Sequence, residues 1–273
     1  MLKMTMRNEL ISEIKKKKVF VLDLDGVLYL NNTLIENADK AVALLREAGY
    51  RVAFLTNNSG KSRTSVCMKL NKLGICCDEG EVYTSIDSAI RYIKQKQLDK
   101  TGVFYVGSEE MRERLHEADI QTAPPDTCSC ILVGFKKDVT YDDAAQAIIA
   151  LRRNVPFLIC NRDPYFPDVN DNLMPGCGYT VGAIEGCYTR KADVNAGKPE
   201  PRILDVVCDA YHVTHDELVL VGDLYHADIK LAKKAGIPAV YVGKEEWMKD
   251  ERGVLCAKSL YQFVQNDLLR KKM

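Results

Sequence analysis

Short apolar runs alternate along the chain with stretches of helical spacing, and several of these runs end in polar residues. The first run, Val19 to Leu22, is continuous and leads directly into Asp23. A continuous run of this length predicts a strand that is buried on both faces of a parallel sheet. A helical stretch over 37–48 ends at Gly49, and a second apolar run follows at 51–55. The order strand–helix–strand–helix predicts an α/β fold with right-handed parallel crossovers.

The same alternation predicts the rest of the chain as two α/β blocks. The pattern restarts near residue 84, and the first block resumes after residue 190. We therefore predict three segments, 1–83, 84–190 and 191–273. The further predicted helices are 7–17, 61–73, 85–96, 109–117, 141–153, 179–186, 201–211, 227–235 and 259–269. The further predicted strands are 102–106, 130–133, 157–160, 218–221 and 239–242, with a loop rich in Pro, Asp, Asn and Gly over 161–178.

Composition and charge narrow the class of protein. The 273 residues are 47% hydrophobic and 28% charged, with a formal net charge of +0. These values are ordinary for a globular protein, and the balanced charge argues against nucleic-acid or membrane-surface partners. No run reaches the length needed to span a bilayer, and the start of the sequence lacks the apolar region of a signal peptide. The ten cysteines, among which no C-x-x-C pair occurs, are then expected as thiols in a cytoplasmic protein.

Two aspartates, Asp23 and Asp25, follow the first strand with one residue between them. Residues two apart in an extended chain share a face, so a turn at Gly26 could aim both carboxylates at one volume. One carboxylate would then serve as nucleophile on phosphorus and the other as acid and base, with Mg²⁺ offsetting their repulsion. The alternatives are an EF-hand loop, which the preceding apolar strand fits poorly, or a strand that merely ends in solvated acids.

The polar segment 56–59 follows the second strand and precedes a helix. A threonine hydroxyl and free backbone N–H groups at such a position predict a phosphate cradle formed by Thr56, Asn57 and Asn58. The alternative is local structure alone, with Ser59 as the N-cap and the asparagine pair as a turn.

Two later segments carry a base and two further acids. Lys198 lies in a Gly/Pro-rich setting before a helix, where an ammonium could reach a phosphoryl oxygen, although most lysines in loops lie at the surface. Asp223 ends a further apolar strand and is predicted as a metal ligand alongside Asp23. Asp228 starts the next helix, where it could hold a metal-bound water or serve as an N-cap.

This ordered set resembles the haloacid dehalogenase (HAD) superfamily of phosphotransferases. Within it, the chain is similar to the NagD-type (subfamily IIA) phosphatases, which include p-nitrophenyl phosphatase-like and phosphoglycolate phosphatase-like enzymes. The resemblance extends from about Val19 to Gly243. The stretches that carry it are 23–29, 55–59, 161–163, 173–178, 197–199 and 222–228.

The resemblance implies a Rossmann-like parallel-sheet core over 1–83 and 191–273, with an inserted α/β cap domain of the subfamily IIA type over 84–190. It implies a Mg²⁺-dependent phosphatase in which Asp23 is the nucleophile and Asp25 the general acid/base. The further implied roles are phosphoryl binding by Thr56, Lys198 and the backbone amide of Asn57, support of Asp25 by Asn58, and Mg²⁺ ligation by Asp23, the Asp25 carbonyl and Asp223 with help from Asp228.

The chain departs from the family pattern at 224–227. There it has Leu-Tyr-His-Ala where the family commonly has Arg-x-x-Thr. Since the carboxylates are kept, this affects local support and substrate contacts rather than the chemistry. We interpret His226 as a structural or rim residue, with a catalytic acid as the alternative.

The expected reaction is hydrolysis of a small phosphorylated metabolite, which makes the chain a phosphoric monoester hydrolase. Sugar phosphates, phosphoglycolate, nucleoside monophosphates and pyridoxal phosphate all stay open as substrates. The alternatives are a phosphotransferase or mutase of the same superfamily and a phospho-aspartate signalling or binding module. The loop 161–178 is either the cap surface that faces the core or an ordinary connection. Some relatives dimerise through the cap, so a homodimer is an open option.

Overall fold

The computed structural model describes residues 2–167, 170, 172–243 and 253–270. None of its helices, within these described ranges, is long and apolar enough to cross a membrane. The helices are α1 Leu2–Ile14, α2 Ala38–Glu47, α3 Arg63–Lys72, α4 Ser85–Gln95, α5 Glu109–Glu117, α6 Tyr141–Arg152, α7 Cys177–Tyr188, α8 Arg202–Tyr211, α9 Lys230–Ala235 and α10 Leu260–Phe263. The strands are β1 Val19–Leu22, β2 Tyr29–Leu30, β3 Thr33–Leu34, β4 Arg51–Thr56, β5 Val82–Thr84, β6 Val103–Val106, β7 Cys130–Val133, β8 Phe157–Ile159, β9 Tyr165–Pro167, β10 Leu173–Pro175, β11 Val194–Asn195, β12 Leu218–Gly222, β13 Ala239–Val242 and β14 Val254–Ala257.

The chain forms two compact units, each built from separate stretches of sequence. The first unit consists of Met1–Thr56, Cys67–Tyr83 and Val207–Met273. The second consists of Asn57–Val66 and Thr84–Val206. The predicted segment boundaries at 84 and 190 stay a prediction.

The first unit is organised on a six-stranded sheet with the order β14-β13-β12-β1-β4-β5. The central strand β1 pairs in parallel with β12 on one side and with β4 on the other. Leu22, the last residue of β1, lies opposite Val221 and Phe54. Because the three strands run in the same direction, their carboxyl ends meet at one edge, where the strand order reverses and open α/β sheets place their ligands.

Complete burial of its central strands holds this sheet in place. All four residues of β1 and the first four of β12 are 0% exposed, as expected for strands covered on both faces. The Phe20 ring contacts Tyr50 at a centroid distance of 4.9 Å and Phe263 at 6.3 Å. The contact with Phe263 joins the sheet to α10.

The second unit contains a four-stranded parallel sheet with the order β11-β8-β7-β6. Successive residues of β7 bury against opposite faces, with Cys130 and Leu132 in one hydrophobic cluster and Ile131 and Val133 in another. Side chains of α4 and α5 complete the first cluster, and side chains of α6 and α7 complete the second. The unit is therefore a sheet covered by helices on both faces. The predicted α/β fold class is confirmed.

Several short elements differ from the prediction. The loop predicted over 161–178 contains an antiparallel hairpin, in which β9 pairs with β10. Its strands include Pro167 and Pro175, and proline is excluded from strands except at edges, which hid the hairpin in the sequence. The helix predicted over 227–235 is a π-helical turn, Tyr225–Ile229, followed by α9. The N-terminal helix begins at Leu2 and ends at Ile14, before the predicted end at residue 17.

Candidate active site

A group of carboxylates lies at the carboxyl edge of the six-stranded sheet. Asp23 directly follows β1, and its backbone N–H donates to the Val221 carbonyl oxygen at 2.9 Å, which continues the β1–β12 ladder by one residue. Asp223 directly follows β12. The pairing of the two strands thus brings together side chains that are far apart in the sequence.

One carboxylate oxygen from each of Asp23, Asp223 and Asp228 lies within 4.8 Å of the others. Asp23 is 6% exposed and Asp228 is fully buried. Three carboxylates this close repel one another strongly, and a bound cation would offset that repulsion. Oxygen-only ligands are the set that Mg²⁺ prefers, so the chemistry of these residues fits a magnesium ion.

Two glycines make room for these carboxylates. Gly26 has φ +83°, and a Cβ there would lie 1.9 Å from Oδ2 of Asp223. A Cβ on Gly222 would lie 2.3 Å from both Cβ and Cγ of Asp228. The backbone therefore approaches two of the three acids more closely than any other residue type would allow.

The segment that departs from the family pattern forms the support of Asp228. The Asp228 carboxylate accepts the backbone N–H of Leu224 at 3.1 Å, and the Asp228 N–H donates to the Leu224 carbonyl oxygen at 2.8 Å. The intervening π-helical turn presents His226 to solvent, with its ring edge-on to Tyr225 at 5.9 Å. This exposed position fits the interpretation of His226 as a rim residue.

Asp25 is exposed, and a tyrosine and a lysine lie beside it. The Gly26 N–H donates to the Tyr29 carbonyl oxygen at 2.8 Å, which folds the chain back after Asp25. The Tyr29 hydroxyl reaches the Asp25 carboxylate, and burial together with the Asp25 and Asp23 charges raises the pKa of Tyr29. Lys69 Nζ lies 3.7 Å from the centroid of the Tyr29 ring. Burial lowers the pKa of Lys69, and the Asp25 charge opposes this shift.

Tyr29 and Lys69 received no role from the sequence. Tyr29 lies in the stretch 23–29 that carries the family resemblance, and this position is the one feature of the sequence that could have drawn attention to it. Lys69 lies within α3, where a lysine looks like any other on a helix surface. Its proximity to Tyr29 depends on tertiary structure alone.

Thr56 ends β4, the strand that pairs with β1 on the side opposite β12, and its side chain is buried. It belongs to the first unit, as do the four aspartates. Asn57, Asn58 and Lys198 belong to the second unit.

In the second unit the structure brings Asn57 and Lys198 together. The Lys198 backbone N–H donates to Asn57 Oδ1 at 2.7 Å, and Asn57 Nδ2 donates to the Lys198 carbonyl oxygen at 3.3 Å. Lys198 is only 4% exposed, so the alternative of an ordinary surface lysine is wrong. The peptide bond between Lys198 and Pro199 is cis.

Neighbouring residues of the predicted cradle form local structure. Asn58 is exposed, and its Oδ1 accepts the Gly60 N–H at 2.9 Å, as in an Asx turn. The Ser59 hydroxyl accepts the Phe135 N–H at 2.9 Å. Ser59 does not cap α3. The cap is Ser62, whose Oγ accepts the backbone N–H of Ser65 in the first helical turn at 3.1 Å. The alternative of Ser59 as the N-cap is therefore wrong.

Comparison with known proteins identifies the family. The model of the haloacid dehalogenase-like hydrolases matches residues 20–121, and a second HAD-hydrolase-like model matches residues 195–262. An acid sugar phosphatase of Staphylococcus haemolyticus is 30% identical over 229 residues, which cover 84% of this chain and 86% of that protein. The chain belongs to the haloacid dehalogenase-like hydrolases.

Other relatives of this HAD-like hydrolase are consistent with that assignment. The sugar-phosphatase AraL of Bacillus subtilis is 29% identical over 223 residues, which cover 81% of each chain. The crystal structure of a 4-nitrophenylphosphatase from Thermotoga maritima superposes with a TM-score of 0.84 at 26% identity. The superposed region covers 92% of this chain and 98% of the Thermotoga maritima chain. The HAD-like hydrolase is a phosphoric monoester hydrolase of the NagD-like group, and its substrate is a small phosphorylated molecule.

Proposed function

We propose that this HAD-like hydrolase cleaves small phosphomonoesters through a phosphoryl group carried transiently on Asp23. The proximity of the Asp23, Asp223 and Asp228 carboxylates is the observation that carries the proposal. Three acids with mutually close oxygens suit a site that holds a divalent cation beside a phosphate. Asp23, the Asp25 carbonyl and Asp223 would ligate Mg²⁺, with Asp228 in support. The ion, when bound, would neutralise charge on the phosphate and on the acids.

In the proposed first step, an Asp23 carboxylate oxygen attacks phosphorus, and the bond between phosphorus and the ester oxygen breaks. Asp25 donates its proton to the departing oxygen, so that the alcohol leaves neutral. The products of this step are the alcohol and an acyl phosphate on Asp23. Thr56 and Lys198 bind the phosphoryl oxygens in this proposal, with the backbone N–H of Asn57 as a further donor and Asn58 as a support of Asp25.

In the proposed second step, the Asp25 carboxylate takes a proton from water, and the water oxygen attacks the same phosphorus atom. The bond between phosphorus and Asp23 breaks, which releases inorganic phosphate and restores the carboxylate. The proton on Asp25 is then available for the next leaving group. Exposure of the Asp25 side chain is consistent with a group that meets both the ester oxygen and water.

Phosphorylated sugars are our first choice of substrate class, because the acid sugar phosphatase and AraL both carry that activity in their names. The cap domain of residues 84–190 would select the substrate in this proposal, and a homodimer through the cap and a cytoplasmic location stay predictions. A panel of phosphorylated sugars, phosphoglycolate, nucleoside monophosphates and pyridoxal phosphate would rank the classes.

The test measures phosphate release from p-nitrophenyl phosphate and from this panel, with Mg²⁺ and with EDTA. Asp23→Asn should lose at least about 1,000-fold in kcat. The exposed Asp126→Asn serves as a matched control and should keep full activity. Phosphoenzyme trapped by acid quench in the wild type and missing in Asp23→Asn would support the covalent step. A folded, Mg²⁺-loaded protein that releases no phosphate would favour a phosphotransferase or mutase, or a phospho-aspartate binding module.

A further inference from the structure

The side chain of Asn57 uses its hydrogen-bonding groups on two residues. Its Oδ1 accepts the Lys198 N–H at 2.7 Å. Its Nδ2 donates to the Lys198 carbonyl oxygen at 3.3 Å and to Asp163 Oδ1 at 3.1 Å. An amide is required here, because the Lys198 N–H needs an acceptor while the Lys198 carbonyl and the Asp163 carboxylate need donors.

The backbone of Asn57 is fixed as firmly as its side chain. The Asn57 carbonyl oxygen accepts from Asn161 Nδ2 at 2.6 Å and from Ser85 Oγ at 2.8 Å. Asn161 Oδ1 in turn accepts the Asp163 N–H at 3.0 Å. Hydrogen bonds therefore close a ring from Asn57 through Asp163 and Asn161 back to Asn57. Because Asn57, Asn161 and Ser85 are all buried, water does not substitute readily for a lost member.

The residue before Lys198 packs directly on this ring. A Cβ on Gly197 would lie 2.5 Å from Asn57 Oδ1 and 2.3 Å from the Cys160 carbonyl oxygen. The adjoining backbone is held as well, since the Ala196 N–H donates to the Ile159 carbonyl oxygen at 2.8 Å. The two residues that precede Lys198 are therefore closely packed and hydrogen-bonded beside Asn57.

We propose that the Asn57 carboxamide is a positioning residue, which fixes the backbone of Lys198 so that its ammonium stands where the phosphoryl group binds. This inference rests on the proposed role of Lys198 in phosphoryl binding. It adds a side-chain role to Asn57, whose backbone amide alone was assigned to the phosphate. The loop that begins at Asn161 takes part in this positioning, because Asn161 and Asp163 belong to the hydrogen-bonded ring around Asn57. A displacement of about 1 Å at a group that contacts the reacting phosphate costs on the order of 100-fold in rate.

The chain provides a matched control in Asn71. Asn71 Oδ1 accepts the Cys77 N–H at 3.1 Å, and Asn71 Nδ2 donates to the Cys77 carbonyl oxygen at 2.9 Å. This is the same double contact with one backbone residue, at a place with no assigned chemistry. Because Asn71 is exposed and Asn57 is buried, the two variants are compared by their loss of activity relative to their loss of stability.

The test compares Asn57→Asp with Asn71→Asp and with Lys198→Ala, using phosphate release from p-nitrophenyl phosphate and thermal unfolding. Asn57→Asp keeps the acceptor for the Lys198 N–H but loses both donors and sets a carboxylate against Asp163. We expect kcat/KM to fall by about 10- to 100-fold. Asn71→Asp should lower the unfolding temperature less than Asn57→Asp does, and it should leave kcat/KM within about twofold of the wild type.

The reciprocal variant Asn57→Asp with Asp163→Asn restores one hydrogen bond in the opposite direction. The kcat/KM of the double variant should be about tenfold higher than that of Asn57→Asp. Asp163→Asn alone should change the wild-type kcat/KM little. Equal activity of Asn57→Asp and Asn71→Asp, or no recovery in the double variant, would overturn the positioning role and leave the proposed function intact. Wild-type protein without phosphatase activity would overturn the proposed function and this inference together. A fully active Lys198→Ala would overturn the proposed role of Lys198 and this inference, and leave the hydrolysis through Asp23 intact.

Discussion

The backbone at Gly26 lies against the Asp223 carboxylate, so closely that a Cβ on Gly26 would lie 1.9 Å from Oδ2 of Asp223. Gly26→Ala should therefore displace an acid of the proposed metal site and lower kcat/KM about 10- to 100-fold at limiting Mg²⁺. Gly49 is the control, because it also has positive φ, +88°, but a Cβ there would meet no atom of the described residues within 4 Å. Gly49→Ala should cost about 1 kcal/mol of stability and leave activity unchanged. Phosphate release across a Mg²⁺ titration checks both.

Mg²⁺ should stabilise the protein as well as activate it. A ligand that binds only the folded state raises the free energy of unfolding in proportion to the logarithm of its concentration. Without the cation, the carboxylates of Asp23, Asp223 and Asp228 repel one another. We expect the unfolding temperature to rise with added Mg²⁺ in the wild type and to respond weakly in Asp223→Asn. A variant that responds as strongly as the wild type would exclude Asp223 from the ligands.

Tyr29→Phe should separate substrates by their leaving groups. The Tyr29 hydroxyl reaches the Asp25 carboxylate, and its loss should misorient the proposed acid. An alkoxide leaving group needs that proton, whereas p-nitrophenolate leaves without it. We expect kcat on a sugar phosphate to fall about tenfold and kcat on p-nitrophenyl phosphate to change little.

The control for this variant is Tyr211→Phe. The Tyr211 hydroxyl donates to the Val52 carbonyl oxygen at 2.6 Å, at the end of β4 opposite Thr56. The substitution removes a comparable hydroxyl away from the carboxylates and should affect both substrates equally. A uniform loss in Tyr29→Phe would mean that Tyr29 supports the fold rather than Asp25.

The second unit should lose stability in acid through Glu185. Burial opposes ionisation of Glu185, but hydrogen bonds from Arg162, Lys191 and the Ala192 N–H outweigh it and lower the pKa of Glu185 to about 2. A carboxylate whose pKa is lower in the folded state contributes its stability fully above the unfolded value, about 4.3, and loses it as pH falls towards the folded value. The unfolding temperature of Glu185→Gln should therefore lie below that of the wild type at pH 7, with a gap that narrows at about pH 3. Glu117→Gln, at an exposed position, should show no such gap.

The main elements were predictable because each depends on a strong local pattern. The runs at β1, β4 and β12 are apolar throughout most of their length and are followed by polar residues, so both the parallel strands and the polar residues at their ends could be predicted from the sequence. The short strands β2, β3 and β5 carry too few residues for a pattern. The π-helical turn at 225–229 looks like the start of an ordinary helix, because the difference lies in backbone hydrogen bonds rather than in side-chain spacing.

The candidate site was predictable only where the residue type itself indicates chemistry. Aspartates at strand ends point to metal and phosphate, and Lys198 in its Gly/Pro setting stands out among lysines. The side-chain contacts of Asn57 with Lys198 and Asp163 could not be foreseen, because they join positions more than a hundred residues apart. The same holds for Lys69 over the Tyr29 ring, which needs the helix α3 packed in place.

The pairing of β1 with β12 joins Asp23 to a partner about two hundred residues later in the sequence. A ribosome makes Asp23, the proposed nucleophile, about two hundred residues before Asp223 and Asp228, so over that interval a nascent chain carries Asp23 without the other two acids. The proposed metal centre can assemble only after β12 has emerged and inserted beside β1. Under the proposed mechanism, a nascent or truncated chain that ends before β12 is catalytically silent, and the order of synthesis itself keeps a half-made hydrolase from acting on phosphate esters.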